Sequence, residues 1–198
     1  MVVDGGQALT ILHASQLAAA VGQPAPAGGD STRFAWETLG ILRGWLDHLE
    51  GVDERLLAEP ISPRRGYSFR VIAVNVFNPF ALLRGAWETG SFPWEPERDA
   101  EREAELGTTE NVIRFARRIY ADWSDFIRER GDELAELDPE VDSSRGMLRY
   151  SDLVASQRWH AAIHYRQLVE TLRTRGVVLE GTFSLDSIPD LELPEDVF

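Results

Sequence analysis

Val112, Phe115, Ala116, Ile119, Trp123, Phe126, Ile127, Leu134 and Leu137 recur at spacings of three, four and seven residues. In a strand those residues would fall on both faces. On a helix they form one stripe, sustained for about seven turns. A helix of that length with a single apolar stripe has to bury it against other helices. Its other face carries Arg114, Arg117, Arg118, Arg128 and Arg130 among acids and reads as solvated.

Three more stretches repeat the pattern. Phe34, Leu39, Leu42, Trp45, Leu46 and Leu49 line a helix from Ser31 or Thr32 to about residue 50, ended by Gly51. Residues 53–58 read as a further helical turn, stopped by Pro60 and Pro63. Ser68 caps a second long helix over 69–88, whose core side carries Val71, Ile72, Val76, Leu82 and Leu83. Pro79 lies inside that pattern. It either kinks the helix and frees the Asn75 carbonyl or divides two shorter helices. Thr108 or Thr109 caps the third helix, which Asp138-Pro139 ends. The fourth begins between Ser144 and Ser151 and runs to Arg175, with Gly176 as the residue past its end. In the 90–107 connection, 99–105 reads as a solvated helical turn, and Trp94 closes one end of the bundle.

Four amphipathic helices predict an all-α four-helix bundle over 31–176. The flanks differ. Val2-Val3 and 8–12 are β-type runs around the turn signal Asp4-Gly5-Gly6, followed by a short helix over 16–21. This β-β-α arm is too small for a core of its own. With the Pro/Gly-rich linker after it, it fills 1–30. Residues 177–198 read as an extended tail on the surface. The arm is similar to the closing half of a glutaredoxin-like fold. The half with a Cys-x-x-Cys is missing, so thiol redox chemistry does not carry over.

Composition removes several functions. The net charge of −13 argues against nucleic acid and against an anionic membrane surface as partner. There is no cysteine, hence no thiolate nucleophile or Cys-type zinc site. All 20 basic residues are arginine, which excludes a Schiff-base or P-loop lysine. No signal-peptide pattern or spanning stretch is visible, so a cytoplasmic protein is expected.

The chemistry concentrates in Gln157-Arg-Trp-His160-Ala-Ala-Ile-His164-Tyr-Arg-Gln167-Leu168. His160 and His164 are one helical turn apart, on or beside the stripe Leu153, Val154, Ala161, Leu168, Leu172. Two inward imidazoles at that spacing offer a divalent metal two nitrogens. The same spacing suits two hydrogen-bonded core histidines beside Trp159. Asn75 and Asn78, one turn apart on the second helix, form a polar wall expected to face them. His48 lies at the edge of the first stripe.

His-x3-His-x2-Gln-Leu near the end of a long helix, followed by Leu172-Arg-Thr-Arg-Gly176-Val177, resembles the last helix of the DinB/YfiT-like superfamily. The order of elements fits from about 32 to 177. The resemblance implies a four-helix bundle holding one metal through a second-helix histidine and the His-x3-His pair. It implies hydrolase or thiol-transferase chemistry, in which the metal lowers the pKa of bound water or of an incoming thiol. His160 and His164 would be ligands, with Tyr165 or Gln167 giving hydrogen bonds behind them. Any thiol would be a low-molecular-weight cosubstrate. The pattern departs at one residue: the position seven after the capping Ser68 is Asn75, not histidine. A carboxamide is a poor zinc or nickel ligand. Binding is then weak or absent, or His48 supplies the missing nitrogen. Water or a small polar ligand is expected between the histidines and Asn75. The alternative function is a non-catalytic bundle serving as a binding or dimerisation module. Six tryptophans and the apolar arm suggest a homodimer through the arm or the first and fourth helices.

Overall fold

A computed structural model describes residues 2–4, 7–9, 31–61, 66–178, 183–188 and 190–194. The described residues are predominantly helical. In chain order the helices are α1 (Ser31–Gly51), α2 (Glu54–Leu57), α3 (Phe69–Thr89), α4 (Asp99–Leu106), α5 (Thr109–Glu136) and α6 (Tyr150–Thr174). β1 (Val2–Asp4) and β2 (Gln7–Leu9) pair antiparallel. The helix expected over 16–21 lies outside the described residues.

Each long helix starts where its local chemistry allows. The Ser68 hydroxyl accepts from the Val71 N–H at 3.2 Å, and Thr108 accepts from the Asn111 N–H at 3.2 Å. Gly90, with φ at 69°, ends α3 in the left-handed conformation that a Cβ would disfavour. Pro79 does not divide α3: the helix runs through it, and the ring is buried.

α1 and α3 each pack against both α5 and α6, and the short α4 lies on α3. The stripes read from the sequence meet in the middle. Leu42, Trp45, Ile72, Val76, Trp123, Phe126 and Leu168 of those stripes are buried there, and so are Ile41, Phe77 and Phe80, which the stripes did not include. Trp123 stacks on Phe126 and donates its indole N–H to Thr38 at 2.8 Å, tying α5 to α1. Phe34, Val71 and Leu82 lie at the edge of the core. Leu137 is an exception to its stripe. It follows the last turn of α5 in extended conformation and is 53% exposed.

A small sheet was not apparent from periodicity. β3 (Ser91–Phe92) runs parallel to β4 (Glu140–Ser143), which pairs antiparallel with β5 (Gly146–Arg149) around a turn at Ser144-Arg145. Opposed Val141 and Leu148 are both buried, so the hairpin has an inner face. Tyr150, the first residue of α6, is buried and donates its hydroxyl to the Leu83 carbonyl at 3.1 Å.

The tail is less free than its sequence suggests. Ile188 is buried, Asp190 pairs with Arg33 at 2.7 Å, and Tyr165 donates its hydroxyl to the Phe183 carbonyl at 2.8 Å. Among the described residues, no helix is long and apolar enough to cross a membrane.

Candidate functional site

α3, α4, α6 and the loop before α4 bring together a polar cluster in otherwise apolar surroundings. Asp99 stands first in α4 and is only 2% exposed, with one carboxylate oxygen near each flanking amide. Asn75 donates to one oxygen at 2.9 Å and Asn78 to the other at 2.8 Å. The Trp94 indole N–H adds a third donor at 3.3 Å. Three N–H groups and the amino end of a helix replace the water that a buried carboxylate gives up.

The donors fix the rest. A carboxylate only accepts, so the Asn75 NH2 faces Asp99 and its carbonyl oxygen faces α6. That oxygen lies 2.9 Å from Nε2 of His160. It can only accept, so Nε2 carries the proton. Nδ1 of His160 then keeps its lone pair, buried and without a hydrogen-bond partner among the described residues. His164, one turn on, stands edge to face with His160 at 4.7 Å between centroids. Its Nδ1 lies 2.7 Å from Oε1 of Gln167, which places a proton there too. Trp94 covers the other side of His160 at 5.1 Å. Burial holds His160 well below the usual histidine value of 6.5, and the charges of His164 and Arg145 push the same way. It is neutral at physiological pH.

Beside this network a cavity of about 210 Å³ opens to the surface, lined by Tyr67, Ile72, Asn75, Glu97, Asp99 and His164 among others. α4 is pinned over it by Arg70 of α3, which reaches Glu103 at 2.7 Å.

Several expected residues therefore meet and others do not. His160, His164, Asn75 and Gln167 form one constellation. Asn78 joins it through Asp99, and also lines a separate groove of mixed charge, with Glu95, Glu101 and Glu105 beside Arg98 and Arg102. Tyr165 points the other way, with its ring against His48 and its hydroxyl on the tail. His48 is buried on α1, and its Nδ1 lies 2.8 Å from the Gly44 carbonyl one turn back. Among the described residues, no group of three or more His, Asp or Glu side chains is arranged to hold a metal ion, with or without His48. Trp159 lies at the surface, donating to the Glu192 carbonyl at 3.1 Å, and not beside a core pair. Asn75 meets His160 directly, which leaves no place for the water expected between those two groups.

The solvated turn expected over 99–105 is corrected by Asp99. The charged run hid it because the residues around it are exposed. A signal did exist: two carboxamides one turn apart on a core-facing stripe need an acceptor. Comparison with protein-family models, curated proteins and solved structures returns no match for this chain.

Proposed function

We propose that the chain is a DinB-like four-helix bundle, with α1, α3, α5 and α6 as its helices and 1–30 as an appended arm. In this reading its histidine site has become the polar pocket of a metal-free binding module. One observation carries it. The Asn75 amide stands where the resemblance calls for a third imidazole and is bonded at both ends, to His160 and to Asp99. A metal taking Nε2 of His160 would have to displace a proton and that bond, and would gain a neutral oxygen in place of a nitrogen. The residues present do not fit a tight zinc or nickel site. The pocket suits a small neutral or cationic molecule: Glu97 and Asp99 are on its wall and, among the described residues, no arginine is.

Metal-dependent hydrolysis or thiol transfer, with a low-molecular-weight thiol as cosubstrate, is the alternative that the resemblance carries. Calorimetry with zinc and nickel on the untagged protein separates the two. The unmodified chain should show no submicromolar binding, and Asn75→His should raise affinity by at least about a hundredfold by restoring a third nitrogen. One metal per unmodified chain at submicromolar Kd would replace the binding-module reading with the enzymatic one. The same reading has the chain as a cytoplasmic homodimer. Trp36 on α1 and Trp159 on α6 are both exposed, on the two helices expected to make the contact.

A further inference from the structure

A second cavity lies under the β4–β5 hairpin, on the far side of Trp94 from Asp99. It measures about 30 Å³ and is lined by Trp94, Ser144, Arg145, Leu153, Ser156 and Gln157 among others. A buried water needs roughly 10–15 Å³, so the space takes about two water-sized groups.

Two features of its wall need a partner. Gln157 is only 2% exposed, and its side-chain oxygen has no hydrogen-bond partner among the described residues. Leaving a buried amide oxygen unpaired is costly, which makes it a sign of a missing ligand. An amide can also turn over, presenting its NH2 to an acceptor. Arg145, at the tip of the hairpin, makes no ion pair among the described residues, although most arginines of this acidic chain do. It is exposed at the rim, yet partial shielding from water lowers its pKa. Among the described residues, no carboxylate lines the cavity.

A positive fork, a buried amide and Ser143, Ser144 and Ser156 around space for two oxygens make a complementary set. We propose that this cavity binds the carboxylate of a small organic acid. Arg145 takes the two oxygens side by side, and Gln157 donates its amide N–H to one of them. The planar carboxylate fits both the volume and the fork geometry of the guanidinium. A tetrahedral phosphate carries four oxygens and does not fit. The remainder of the acid leaves past the exposed Ser144–Arg145 rim. The site shares Pro96 with the pocket proposed above but does not depend on how Asn75 behaves.

The test is a titration of the full-length protein with sodium acetate, followed by ¹H–¹⁵N NMR. Sodium chloride holds ionic strength constant, and sodium phosphate is the second arm. Acetate should shift the Gln157 side-chain amide and the Trp94 indole saturably. Arg145→Gln, at an exposed turn, should keep the spectrum of the folded protein and weaken binding roughly tenfold or more. Gln157→Met, close in volume, should weaken it as well. Phosphate should leave both reporters in place. Acetate shifts absent at these reporters, or unchanged in Arg145→Gln, would overturn the site. Phosphate saturating the same reporters would overturn its assignment to a carboxylate.

Discussion

His48 and His160 both sit on long helices with their rings withdrawn from water, and burial is the first cause holding each below 6.5. They differ in where their partners come from. His48 answers to its own helix: Nδ1 meets the Gly44 carbonyl four residues back, and Tyr165 presents an edge to the ring. Replacing it would remove a second partner from a carbonyl that lies inside its own helix. His160 answers to Asn75, Asn75 to Asp99, and Asp99 also to Asn78 and Trp94. Those groups come from three stretches of chain, and each member's removal strands the others. Burial and a lowered pKa do not distinguish the two histidines. The reach of the network does.

The largest break in this comparison should come from Asp99→Ala. It leaves three N–H donors, one buried and two part-buried, without their acceptor, at about 1–3 kcal/mol for each one that water cannot reach. A total loss of about 3–5 kcal/mol of unfolding free energy is expected. His48→Phe keeps the ring volume, drops one hydrogen bond and should cost about 1 kcal/mol. Urea denaturation of both variants gives the contrast directly. If Asp99→Ala costs no more than His48→Phe, the cluster is loosely held and its hydrogen bonds do not act together.

What the sequence made legible follows the same division. Local rules reach anything set within a helix turn or a stripe. The four long helices, the caps at Ser68 and Thr108, and the pairing of His160 and His164 on one face were readable for that reason. Asn75, expected opposite them, meets His160. Asp99 was not, because its burial depends on α4 folding back onto α3, and a run such as Glu97-Arg98-Asp99-Ala100-Glu101 has the composition of a solvated turn. The hairpin over 140–149 was hidden similarly. Its strands are four residues each, too short for alternation to stand out, and only Val141 and Leu148 face inward. Leu137 misled in the opposite direction, since it fits the stripe but comes just after the helix that the stripe belongs to.

A middle-sized effect tests the His48 side alone. A Cβ on Gly44 would lie 2.7 Å from both Cζ and the hydroxyl of Tyr165, a ring that is fully buried and tied to the tail. The ring cannot retreat without breaking its bond to Phe183. Gly44→Ala should therefore destabilise by about 1–3 kcal/mol. Gly85 on α3 is the control, because nothing lies within 4 Å of a Cβ placed there. Gly85→Ala should be neutral or stabilising by up to about 1 kcal/mol through helix propensity. Thermal unfolding of the two alanine variants should move in opposite directions. Equal shifts would mean that the α1–tail contact carries no strain-sensitive packing.

The smallest effect sharpens the comparison through pH. Both histidines have folded pKa values below 6.5, so between the folded value and 6.5 the unfolded chain binds more protons than the folded one. Stability is then fully present above pH 6.5 and falls as pH drops below it, by at most about 1.4 kcal/mol per pH unit for each histidine. Ordinary carboxylates titrate near 4, beneath most of this window. The two contributions should be unequal. His160 is pushed down by burial, by His164 and by Arg145 together, whereas the Gly44 carbonyl and Asp47 partly restore the His48 value. Urea midpoints at pH 7.5, 6.5 and 5.5 should thus decline by about 1–2 kcal/mol in total over the last unit. His160→Gln should remove the larger share of that decline, even though it also lowers stability at every pH. His48→Phe should remove the smaller share. A decline that survives His160→Gln intact would mean that this imidazole is protonated in the folded protein. In that case Nδ1 must have found an acceptor, and the Asn75–Asp99 side of the network would be carrying a charge instead of a neutral ring.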